Sequence, residues 1–203
     1  MADAKCHFIK EVCDNHNVQY VSVQEHFKWS KMTSKYFSDK FDQFNCYVIP
    51  AYRPKLQVSG RAKAGFAQLS LRNVDILKSR VVTKRWRIQA QILNLPHSRL
   101  LWINTYLPTD PQTVIFDDSE LIEVLTEIES IMDSTDFDDV LWNGDLNWHM
   151  ARNSGFSTMM KNFMARLGLR SLWEHYPVDY THLHTDNVSR AVLDHFIVNE
   201  RLL

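Results

Sequence analysis

A short apolar run, Val140-Leu141-Trp142-Asn143, passes directly into Gly144-Asp145-Leu146-Asn147. An apolar strand that ends in glycine, then an acid, then an amide constrains the backbone strongly. The strand fixes the chain direction, and glycine permits a tight turn in which backbone approaches a bound group. At such a strand end Asp145 can orient or deprotonate a water, and Asn147 can donate to a phosphate oxygen. The same tetrapeptide also suits a helix cap or an Asx-turn, so its weight depends on the rest of the chain.

The chain has 203 residues, 45% hydrophobic and 23% charged, which suits one globular domain with a sizeable core. A formal net charge of −1 supplies no general attraction to nucleic acid or membrane, although a local basic stripe is compatible with it. Cys6, Cys13 and Cys46 are odd in number, lack metal-type spacing and read as reduced thiols of an intracellular protein. No apolar run approaches a membrane span, and the first residues lack a signal-peptide pattern.

Residues 4–14 place Phe8, Ile9, Val12 and Cys13 on one helical face. Residues 18–24 read as a strand with Glu25 at its end, and 45–50 as a short strand. From Gly65 to Leu71, Ala67, Leu69 and Leu71 share a face. Residues 80–93 alternate with Ile88, Ala90 and Ile92 inward and Arg87, Gln89 and Gln91 outward. Leu100 to Tyr106 is a strand stopped by Pro108. A helix is expected over 118–133, with an Asp117/Glu120 capping box and a stripe of Leu121, Val124, Leu125, Ile128 and Met132. A second helix over 157–167 carries Met160, Phe163, Met164 and Leu167 and ends at Gly168. Strands are expected at 171–176 and 191–198. Strands and helices mix without strict alternation, which favours an α/β domain of packed sheets with outer helices.

Glu25, Tyr106, Asp145 with Asn147, and Asp194 all end or interrupt apolar strands. Rigid strand ends are common places for catalytic groups. Carboxylates from separate strands suit Mg²⁺, which takes one or two carboxylates and keeps several waters.

Five segments, in this order, resemble the endonuclease/exonuclease/phosphatase superfamily: Val23-Gln24-Glu25, Ala64-Gly65-Phe66-Ala67, Ile103-Asn104-Thr105-Tyr106-Leu107-Pro108, Gly144-Asp145-Leu146-Asn147 and Leu193-Asp194-His195-Phe196. Within it, Tyr106 to Asp110, Tyr180-Thr181 and Leu193 to Val198 most resemble the apurinic-type endonuclease domains of non-LTR retrotransposons. The resemblance implies a four-layered α/β sandwich of the DNase I-like kind, with two packed mixed sheets flanked by helices. It implies that Glu25 binds Mg²⁺ (or Mn²⁺ in its place) and that Asp145 activates water. Asn147 and Tyr106 would steady the phosphoryl group, and Asp194 would join the acidic cluster that orients a catalytic histidine. The implied activity is nicking of DNA, in the nucleus, with a reverse transcriptase domain on the same polypeptide.

The family opens with an Asn-bearing strand and closes with a Ser-Asp-His strand. The resemblance therefore implies a domain incomplete at both ends, prone to aggregate and low in activity. Leu193 stands where that closing serine would be, so Asp194-His195 fits the preceding Asp-bearing strand, with His195 directed away from Asp194. Lys78, Arg80, Lys84, Arg85 and Arg87 form a basic run, either a solvated sheet face or a site for backbone phosphates; Lys84, Arg85 and Arg87 are the candidates for substrate binding. His182 and His184 alternate but lack a supporting third zinc ligand. Two other functions remain open. One is an inositol-phosphate phosphatase, suggested by Trp142 to Asn147 but lacking that group's Cys-Asp-Arg segment. The other is a non-catalytic remnant.

Overall fold

The computed structural model of the protein describes residues 3–30, 32–52, 65–72, 87–111, 117–183, 188 and 190–203. In chain order these form α1 (Asp3–His16), β1 (Tyr20–Val23), α2 (Thr33–Lys40), β2 (Phe44–Ile49), β3 (Phe66–Leu71), β4 (Ile88–Leu95) and β5 (Ser98–Tyr106). There follow α3 (Ser119–Asp133), β6 (Asp139–Asp145), α4 (Gly155–Arg166), β7 (Leu169–Ser171), β8 (His182–Leu183), β9 (Arg190–Ala191) and β10 (Asp194–Asn199). Short 3₁₀ turns cover Leu172–Glu174 and Glu200–Leu202.

Two sheets carry the architecture. The first is antiparallel, in the order β1-β3-β2; the second is mixed, in the order β4-β5-β6-β10-β7. The parallel pair β5/β6 is joined through α3, as a parallel crossover requires. Against one face of the second sheet pack α3 and α4, burying Ile88, Ala90, Ile103, Trp142, Leu125 and Phe163 among others. On the first sheet, Phe37, Phe41 and Phe44 meet Cys6, Cys13, Ala67 and Leu69. Between the sheets Leu93, Leu100 and Trp102 form a smaller core, with Tyr20 set edge-on to Trp102 at 5.7 Å. The result is helices, sheet, sheet, helices: the expected four-layered α/β sandwich. All three cysteines are free thiols. No helix among the described residues is long and apolar enough to cross a membrane.

Several local expectations need correction. Phe8 lies off the α1 stripe, 65% exposed, and Cys6 takes its place with Ile9 and Cys13. Gln89 and Gln91 are fully buried, because the first sheet covers the face that alternation assigns to solvent. Their counterparts Gln68 and Ser70 on β3 are buried too. No capping box forms at α3: Asp117 instead accepts the Ser119 amide at 3.1 Å, and Arg87 draws Glu120 away. The stripe of α3 is completed by Ile131, with Met132 only partly buried. The 171–176 strand stops at Ser171, whose hydroxyl caps the following 3₁₀ turn through the Trp173 amide. Residues 80–86 lie outside the described residues.

Candidate active site

Sheet register builds the centre of the site. Tyr106 is the β5 partner of Asp145 in the parallel pairing, and Asp194 is the β10 partner of Asp145 in the antiparallel one. Directly paired residues project from the same face with Cβ atoms about 5 Å apart. Tyr106, Asp145 and Asp194 thus form one rank across three adjacent strands. Glu25 faces this rank closely enough for its charge to raise the pKa of both Tyr106 and Asp145.

Burial, then Asp194, then Glu25 push the Asp145 carboxyl up to about 7, against a lowering contribution from the Asn147 amide. Burial also raises the Tyr106 phenol, helped by Glu25 and Asp145, while Arg87 and Asn147 pull the other way. Asp194 has solvent access, yet the protein packed around its carboxyl still raises it; Thr181, His195 and His182 oppose that rise. Asp145, Asp194 and Tyr106 therefore share a face where negative charge accumulates at a cost.

Glycine at 144 is a geometric necessity. Its φ is +147°, and a Cβ there would lie 1.9 Å from the carbonyl oxygen of Thr105, its partner on β5. The next turn is an Asx-turn: Asp145 Oδ1 accepts the Asn147 amide at 3.1 Å, and Asn147 takes a left-handed φ of 49°. Asn147 Nδ2 donates to the Leu107 carbonyl at 2.9 Å and its amide also reaches Tyr106. The Asx-turn reading of this tetrapeptide is realised.

The loop carrying Glu25 is held by a residue that the sequence did not single out. His26 is 2% exposed, accepts the Lys28 amide at Nδ1 (3.0 Å) and donates from Nε2 to the Ile49 carbonyl (3.2 Å). Its ring stacks obliquely on Phe37 at 5.0 Å and lies against Gly65. Glu25 and Phe27, on either side, both have positive φ. Burial lowers His26 to a pKa of about 4, so the ring is neutral at pH 7.

His195 is buried and directed away from Asp194, as the register argument expected. Its Nε2 donates to the Trp148 carbonyl at 2.6 Å. Trp148 Nε1 donates to Ser157, whose amide meets the Ser154 hydroxyl, and Ser154 donates to the buried Asp110. This chain ties the turn after β6, the start of α4 and the loop after β5 into one support. The Thr181 hydroxyl accepts the amides of Leu193 and Asp194, fixing the start of β10 beside β8. That arrangement also brings His182 within electrostatic reach of Asp194. No cluster of three or more His, Cys, Asp or Glu fit to enclose a metal occurs among the described residues. His184 is outside them.

Arg87 is engaged by Glu120 (Nε to Oε1, 2.8 Å) and by the Tyr106 carbonyl, and its side chain is 12% exposed. Its described contacts are with the protein. Lys84 and Arg85 lie outside the described residues.

No family model matches the sequence, and no curated protein matches it. Solved structures do. The human Nocturnin catalytic domain with bound sulfate superimposes with a TM-score of 0.65 at 15% identity, over 98% of this chain and 75% of that one. TDP2 from D. rerio, complexed with a single-strand DNA product, gives 0.62 at 12% identity, over 96% and 76%. The endonuclease domain of TRAS1, a telomere-specific non-LTR retrotransposon, gives 0.59 at 13% identity, over 99% and 80%. The fold is that of the endonuclease/exonuclease/phosphatase superfamily. In this DNase I-like frame the rank of Tyr106, Asp145 and Asp194 lies across the second sheet, and the Glu25 loop reaches it from the first.

Proposed function

We propose that the chain hydrolyses phosphodiesters, as a Mg²⁺-dependent endonuclease that nicks DNA. The observation that carries this reading is the rank of Tyr106, Asp145 and Asp194 with Glu25 facing it. The superfamily fold, whose solved members include nucleases and a retrotransposon endonuclease, supports it. Glu25 offers carboxylate oxygens, the donor type that suits a hard cation held by one or two carboxylates and keeping most of its water shell. Glu25 is the residue assigned to hold it, and Mn²⁺ would fit the same donors. When bound, the ion would neutralise charge that builds on the phosphoryl oxygens.

The chain's own groups have distinct tasks. Asp145 aligns the attacking water and takes its proton as the water oxygen bonds to phosphorus. The bond from phosphorus to the 3′ oxygen breaks, and that oxygen takes up a proton from solvent to leave a 3′ hydroxyl. Asn147 and Tyr106 place donors at the phosphoryl oxygens. In a retroelement such a 3′ hydroxyl would prime a reverse transcriptase carried on the same polypeptide, which places the activity in the nucleus.

Conversion of supercoiled plasmid to the nicked form in Mg²⁺ tests the proposal. Nicking should be lost with chelator and in Asp145→Ala. Release of phosphate from an inositol phosphate without nicking would place the chain with the phosphatases. Neither activity, in a folded chain that still binds DNA, would make it a binding domain.

A further inference from the structure

We propose that the groove between α3 and α4 receives an amphipathic helix of a partner protein, apolar on one face and basic on its flanks. The proposal is independent of the nuclease reading. The two helices lie on the outer face of the second sheet with little backbone contact between them. The space left is a groove of about 650 Å³. Its lining recurs every three or four residues on each helix: Ile122, Thr126 and Glu129 on α3, and Thr158, Asn162 and Arg166 on α4. Leu125 and Phe163 form a buried floor. Ile122, 45% exposed, and the half-buried Met159 offer further apolar surface beside it.

Shape selects a helix. Both walls are helices whose backbone groups bond internally, so an extended strand finds no row of partners here. A groove between two helix surfaces instead takes the side-chain ridge of a third helix. Charge selects a basic one. Between Asp117 and Asp133 the sequence carries seven acids and no lysine or arginine, in a chain whose net charge is only −1. Asp118 precedes Ile122 by one helical turn and Asp133 follows Glu129 by one, so the α3 wall is acidic at both ends. The exposed Glu123 lies one turn before Thr126 along the same rim. Among the described residues that line the groove, the one cation is Arg166. It is bonded to Glu129 (Nη2 to Oε2, 3.1 Å) and lies within electrostatic reach of Asp133. Such a rim repels the phosphates of DNA and of an anionic membrane and attracts lysine and arginine.

The test titrates the full chain with a capped, alanine-based helical peptide that carries leucines at i, i+4, i+7 and i+11 and lysines on its flanks. Amide chemical shifts follow the binding. Saturable binding is expected, with shifts centred on Thr126, Thr158 and Asn162 and an affinity that falls as salt is added. Ile122→Lys should weaken binding by more than about tenfold with an unchanged thermal melt. Thr126→Arg, at an exposed position of the same wall, should do likewise. Exchanging the peptide lysines for glutamates, or scattering the leucines around the helix, should abolish binding. Equal binding of either altered peptide, or undiminished binding to both protein variants, would overturn the proposal. Shifts centred on Asp145 and Asp194 with none in the groove would overturn it too, as attraction to acid alone. So would shifts at Thr126 and Asn162 that appear without peptide and vanish on dilution, because a second copy would then be the occupant.

Discussion

At the residue scale, the contact between His26 and Gly65 decides where Glu25 stands. Gly65 has φ +96°, and a Cβ there would fall 2.5 Å from the His26 ring. Gly65→Ala should therefore cost about 2–4 kcal/mol in urea unfolding, from strained backbone together with overpacking. His26 also sets a pH dependence. Its folded pKa, about 4, lies below the ordinary 6.5, so the unfolded chain binds the proton first as pH falls. Its contribution is intact above about pH 6.5 and is lost progressively down to about pH 4. His26→Gln should show a smaller drop in urea midpoint between pH 7.5 and 4.5 than the parent chain, whatever its starting stability. Neither His26 nor Gly65 was legible as a pair, because nothing in apolar periodicity reports a ring lying on a glycine far away in sequence. Asp145, Tyr106 and Asp194 were legible because each interrupts an apolar strand at its end.

At the element scale, the helices and strands follow their sequence signals until another element intervenes. Ser154 caps α4 through the Ser157 amide at 3.0 Å, and Ser154→Ala should destabilise the fold by about 1–2 kcal/mol. The expected cap of α3 fails because Glu120 has a stronger partner in Arg87, a pairing made across 33 residues of sequence. On β4, two-residue alternation identified the strand but misassigned its polar face. Gln89 and Gln91 look outward until a second sheet is laid over them, and sequence periodicity cannot show that covering layer. Neither polar atom of the Gln91 side chain finds a hydrogen bond among the described residues. Gln91→Met, similar in shape and free of that burden, should raise the melting temperature, by about 1–2 kcal/mol in stability.

At the scale of the whole molecule, the four layers hold together a site whose parts come from both sheets. Asp145→Asn should leave the melt unchanged or raise it, because it removes a carboxylate crowded by Asp194 and Glu25, while the proposed nicking falls by at least about a thousandfold. Loss of fold in that variant, seen by circular dichroism, would count against a chemical role for the carboxylate.

Because Tyr106, Asp145 and Asp194 are aligned by backbone pairing rather than by contacts with particular neighbours, much of the surrounding sequence is free to drift while the rank persists. The vulnerability is of another kind. One residue inserted within β6 would turn every later side chain of that strand to the opposite face and carry Asp145 out of line. A lineage can therefore lose this site by a single codon gained in frame, with almost all of its letters unchanged.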